Sequence, residues 1–65
     1  MYRIYWVILN KETLEAEFHQ LGFSDYVDYE DQIAYICGIH AKRGKSVITH
    51  YGKQNKNECT IIIGA

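Results

Sequence analysis

The residues of this chain with the greatest capacity for chemistry are its cysteines and histidines. Cys37, His40, His50 and Cys59 form a Cys-x2-His-x9-His-x8-Cys set, and these are the ligand types of structural zinc sites. In our interpretation Cys37 and His40 lie three positions apart on one strand, so they point to opposite faces of a sheet. Because tetrahedral ligands must converge on one point, the sequence predicts no metal site.

The same cysteines are candidate nucleophiles, with His19, His40 or His50 as the base. An activated thiolate needs exposure beside a base, but both cysteines lie in strongly apolar segments, where a thiol stays neutral. The clustered carboxylates fall in a predicted loop and edge strand, where charge protects against aggregation; they are Asp25, Asp28, Glu30 and Asp31. We therefore expect no catalytic residues and no enzyme activity.

A glycine-containing segment at residues 38–46 resembles a phosphate-binding loop, since it ends in Gly44-Lys45-Ser46. That motif requires a glycine five residues before Gly44, where this chain has Ile39. The loop must also lead into a helix, whereas the residues that follow are typical of a strand. The sequence therefore predicts no nucleotide and no other cofactor.

Basic residues suggest nucleic-acid binding as an alternative function. Lys42, Arg43 and Lys45 lie at a predicted hairpin tip, and Lys53 follows. Cations of this kind bind phosphates, and the rings of His50 and Tyr51 could stack on bases. Arg43-Gly44 begins like the strand signature of an RNA-recognition motif, but Lys45 and Val47 occupy the positions of its stacking aromatics.

Five strands and one helix are predicted to position these residues. The helix, at residues 11–21, rests on the spacing of Leu14, Phe18 and Leu21, with Gly22 as the left-handed residue of a Schellman motif. Strands at 33–40 and 45–51 are predicted to form a hairpin in which Gly44 has a positive φ. The remaining predicted strands are at residues 2–9, 26–29 and 59–63. In the hairpin, Ile39 pairs with Val47, Cys37 with Thr49 and Tyr35 with Tyr51.

These elements predict a single α+β domain over residues 1–65, of the class with two layers: one helix on a mainly antiparallel four- or five-stranded sheet, in the order β-α-β-β-β-β. The net charge of -1 argues against a surface built entirely for DNA or anionic lipid. The longest apolar run, residues 4–9, is too short to cross a membrane. With two cysteines, both expected to be free thiols, we expect a cytoplasmic chain with no membrane partner.

One helix can cover only one face of such a sheet, and this predicts the function. We expect a small protein-binding module of the inhibitor or adaptor type that binds a partner protein or forms a homodimer through its uncovered face. The composition also suits a protein encoded by a phage or another mobile element. The outward pair on the first strand is either Tyr5 and Val7 or Ile4 and Trp6. The predicted protein-binding residues are Tyr5, Trp6, Val7, Tyr35 and Tyr51.

Overall fold

The computed structural model describes residues 1–52 and 56–64. The elements are β1 (Tyr2–Asn10), β2 (Glu15–Phe23), α1 (Tyr26–Lys42), β3 (Ser46–Tyr51) and β4 (Glu58–Gly64). The four strands form one sheet in the order β2-β1-β4-β3, in which β1 and β4 are parallel and the other two pairings are antiparallel. The predicted α+β class, with one helix on a mainly antiparallel sheet, is confirmed. The predicted order of elements is wrong, because the observed order is β-β-α-β-β.

The predicted helix at residues 11–21 is wrong, because most of this segment belongs to β2. All nine residues of β2 pair with β1, and this pairing satisfies backbone groups that a helix would satisfy locally. Phe18 and Leu21, three positions apart, therefore point to opposite faces of a strand. Leu14 lies in the preceding turn with a φ of 59°. Gly22 is paired with Arg3 inside the ladder, so it ends no helix.

The predicted strands at residues 26–29 and 33–40 are also wrong, because both belong to α1. The helix begins after Asp25, whose carboxylate accepts a hydrogen bond of 2.7 Å from the backbone N–H of Val27. Its buried residues are Tyr29, Ile33 and Ile36, which have the i, i+4, i+7 spacing of one helical face. Burial of this stripe on the sheet outweighs the alternating pattern that favoured a strand.

The helix ends in a Schellman motif at Gly44. The N–H of Gly44 donates to the carbonyl of Ala41 at 3.0 Å, and the N–H of Lys45 donates to that of His40 at 3.1 Å. The predicted positive φ of Gly44 is confirmed at 74°, but the hairpin predicted around it is wrong. The whole predicted register, of Ile39 with Val47, Cys37 with Thr49 and Tyr35 with Tyr51, is replaced by pairing of β3 with β4.

The core lies between α1 and one face of the sheet. Its fully buried sheet residues come from the two central strands: Ile4 on β1 and Cys59, Ile61 and Ile63 on β4. Tyr29, Ile33 and Ile36 of α1 pack on them. A second group of side chains is partly buried around this centre; it consists of Tyr2, Trp6, Ile8, Phe23, Cys37 and Val47.

Two glycines allow a paired prediction, because a Cβ atom added to either would meet no atom of the surrounding structure within 4 Å. Gly38 lies inside α1, so Gly38→Ala is expected to stabilise the fold by about 0.5–1 kcal/mol through helix propensity. Gly44 has a positive φ, so Gly44→Ala is expected to destabilise it by about 1 kcal/mol. Urea denaturation measures both. Changes of the same sign would contradict the assigned backbone conformations.

Candidate protein-binding surface

Side chains alternate along each strand, so the sheet has a second face directed away from α1. Because Ile4 is buried under the helix, Tyr5 and Val7 point to this second face, and the choice between the two outward pairs is resolved. No helix or strand of residues 1–52 and 56–64 covers it. We call it the open face; its members are Arg3, Tyr5, Val7, Leu9, Ala16, Phe18, Gln20, Gly22, Ser46, Ile48, His50, Glu58, Thr60, Ile62 and Gly64.

An apolar row crosses the open face from edge to edge. The strand register pairs Phe18 with Val7, Val7 with Ile62 and Ile62 with Ile48. The row therefore contains one side chain from each strand and runs perpendicular to them. Its ends are the most exposed, with 77% of Phe18 and 51% of Ile48 accessible to solvent.

The two rows beside the apolar row contain no formal charge among the described residues. On one side lie Gln20, Tyr5, Thr60 and His50, and on the other lie Ala16, Leu9, Gly64 and Ser46. Charge is confined to the end row, where Arg3 of β1 is paired in register with Glu58 of β4. Within the described chain these two side chains form no ion pair, since the one ion pair found there joins His19 and Glu17.

The structure brings only part of the predicted binding set onto this face. Tyr5 and Val7 lie on it. Trp6 points to the helix side, where its ring stacks on His19 with centroids 5.0 Å apart. Tyr51 is opposite the buried Cys59 and so also points to the helix side. Tyr35 lies on α1 and is 62% exposed.

Sequence reasoning missed the largest exposed members of the face. Phe18 was assigned to a helix, and Ile48 was placed opposite residues that are helical in the structure. The available signal was the alternation of β2, in which Ala16, Phe18 and Gln20 share one side. The partner strand, and hence the row, depends on a register that the sequence does not reveal.

Two of the predicted nucleic-acid residues lie near the end of β1, in a cleft that Leu9 of the open face also lines. Arg43 and Lys45 line one wall of a cleft of about 480 Å³, with His40. Lys42 is the last residue of α1, and Lys53 lies outside the described residues. Burial, together with the charges of Lys45 and Arg43, lowers the pKa of His40. The same cleft is lined by Lys11 and by the carboxylates of Glu12, Glu15 and Glu17, so its three acidic side chains are matched by three basic ones.

The two cysteines are free thiols, as expected. Cys59 is fully buried, which raises its pKa to about 11. Cys37 lies on α1, with its Sγ 3.4 Å from Oγ1 of Thr49. Cys37 and His40 therefore share a helix rather than a strand, which corrects the geometry used against zinc. Across the described residues, no three metal-ligating side chains come together.

Two further findings concern membranes and relatives. No helix in the described part of the chain is long and apolar enough to cross a membrane. Comparison with protein-family models, curated proteins and solved structures gives no significant match, so no relative assigns a role to the open face.

Proposed function

We propose that this chain is a small protein-binding module that acts through the open face. The observation that carries the proposal is the row of Phe18, Val7, Ile62 and Ile48, which crosses all four strands. Contiguous exposed apolar surface of this kind on small proteins marks interaction sites. A flat face suits an inhibitor or adaptor, which works by covering another surface.

The site is proposed to work in the cytoplasm. Two free thiols suit a reducing compartment. A source in a phage or another mobile element belongs to the same proposal and is supported by composition alone. The cleft that Arg43 and Lys45 line also contains Lys11 and three glutamates, so it has no excess of cations for binding phosphates, which favours protein over nucleic acid as the partner.

The test removes the exposed ends of the row. The double variant Phe18→Ser with Ile48→Ser is expected to lose at least about tenfold in affinity for any protein that the wild type binds, its own copies included, because exposed apolar anchors dominate such interfaces. The matched control is Val27→Ser with Tyr35→Ser, which removes two exposed apolar side chains from α1. Light scattering and affinity capture measure complex formation.

Equal loss in the two double variants would contradict the proposal, since binding would then not depend on the open face. Salt-sensitive retention of DNA or RNA that Lys42→Glu with Arg43→Glu abolishes, with no protein complex formed, would support the nucleic-acid alternative instead.

A further inference from the structure

We infer that the partner of the open face is a second copy of this chain, packed open face to open face. The two copies are related by a two-fold axis that lies between the two faces, parallel to the strands and above the seam between β1 and β4. The inference rests on the function proposed above. The sheet order β2-β1-β4-β3 places β1 and β4 at the centre. Rotation about this axis lays β1 over β4 of the second copy and β2 over its β3.

This rotation leaves the position of every residue along the strand direction unchanged. Each row of one copy therefore lies over the same row of the second copy, with the order of the four strands reversed. Val7 then lies over Ile62 of the second copy, and Phe18 lies over its Ile48, because the register places all four in one row. In the next row Leu9 lies over Gly64, a large side chain over a residue without one. The whole apolar row becomes buried against itself.

The end row with Arg3 and Glu58 favours this axis over an axis across the strands. Arg3 and Glu58 are paired in register on β1 and β4, so the axis places Arg3 over Glu58 of the second copy, twice by symmetry. An axis across the strands, midway between the two end rows, would place Arg3 over the row of Leu9, Ala16, Gly64 and Ser46, which offers no carboxylate. Charge complementarity therefore favours the axis along the strands.

The whole chain exposes more surface than a compact monomer of its mass, and the excess is of the size that a small interface needs. The chain exposes 4897 Å², whereas a folded monomer of 7.6 kDa is expected to expose about 4,300 Å². If this difference of about 600 Å² is buried on each of two copies, the interface buries about 1,200 Å² in total, which is the lower limit of a standard specific interface. A net charge of -1 opposes such pairing very little.

The resulting dimer is an aligned β-sandwich with a helix on each outer surface. Aligned sheets pack about 10 Å apart, with strand directions about 30° from one another. Arg3 lies at the rim of this packing, where its long side chain can reach a carboxylate and keep contact with water.

A charge exchange tests the arrangement. Arg3→Glu places Glu over Glu58, and Glu58→Arg places Arg over Arg3, so each variant alone is expected to dimerise about tenfold or more weakly than the wild type at low salt. An equimolar mixture is expected to restore the dimer, since each mixed dimer has two opposite-charge contacts. Sedimentation equilibrium measures the affinities, and native mass spectrometry identifies the mixed species. Circular dichroism confirms that both variants fold.

Three results would overturn the inference: a wild type that stays monomeric at all concentrations, single variants that dimerise as well as the wild type, or a mixture without preference for the mixed dimer. A monomeric wild type that binds another protein through Phe18 and Ile48 would leave the proposed function standing. If substitution of Phe18 and Ile48 changes the affinity of no complex that the chain forms, the proposed function is contradicted as well.

Discussion

Replacing Ile4 and Trp6 together with aspartate is expected to unfold the chain, whereas replacing Tyr5 and Val7 with aspartate is expected to leave it folded. Ile4 is fully buried and Trp6 packs against the core. Each aspartate removes a core side chain and leaves a buried polar group without a partner, and for two positions together these costs are comparable with the about 5–15 kcal/mol that stabilises a typical domain. Tyr5 and Val7 lie on the open face, where a carboxylate reaches water.

Far-ultraviolet circular dichroism and urea denaturation measure this result, with light scattering for the oligomeric state. The second variant is expected to be a monomer, because its carboxylates lie in the proposed interface. Unfolding of the Tyr5 and Val7 variant, with survival of the Ile4 and Trp6 variant, would reverse the assignment of the two faces.

The second large effect concerns Tyr29, which is fully buried although its hydroxyl has no hydrogen-bond partner among the described residues. Burial raises the pKa of Tyr29 to about 12, so the group is neutral. Tyr29→Ala is expected to cost about 3–5 kcal/mol by leaving a cavity. Tyr29→Phe is expected to be neutral or stabilising by up to about 1 kcal/mol, because it removes an unsatisfied polar group.

Chemical denaturation of both variants measures the difference. The control is Tyr35, which is exposed on the same helix, so alanine and phenylalanine at that position are expected to change stability little. A large loss in Tyr29→Phe would show that the hydroxyl has a partner in solution.

The central strands and one turn residue were predictable from the sequence. Consecutive β-branched and aromatic residues indicate β1 and β4, because strands buried in the middle of a sheet require them. Their predicted bounds and those of β3 agree with the structure to within one residue at each end. Gly44 was predictable as a left-handed residue, since glycine adopts that conformation without strain.

The helix and the second strand were exchanged in the prediction, and the reason is physical. Leu14, Phe18 and Leu21 have a helical spacing, but pairing with β1 decides the structure of their segment. Tyr29, Ile33 and Ile36 have the same spacing, and in their case it does mark the buried stripe of α1. Local periodicity was equal in the two segments. A capping side chain does not separate them either, because Oδ1 of Asn10 accepts a hydrogen bond from the N–H of Glu12, just as the carboxylate of Asp25 accepts one from the N–H of Val27.

The candidate surface was predictable in kind but not in detail. One helix leaves a sheet face uncovered whatever the strand register, so the number of elements alone indicates such a surface. The identity of its members needs the register, and a shift of one residue exchanges the faces. Tyr5 and Val7 were therefore named together with Trp6, which points the other way.

The parallel pairing of β1 with β4 determines how the fold assembles. The antiparallel pairs, β1 with β2 and β3 with β4, join segments that are near each other along the chain and close small loops. The seam between Arg3–Leu9 and Glu58–Gly64 joins the first described strand to the last, and its closure carries the largest entropic cost. Non-local contacts of this kind slow folding. We therefore expect the two antiparallel pairs to form first, and the meeting of β1 with β4 at the centre of the sheet to set the rate of folding.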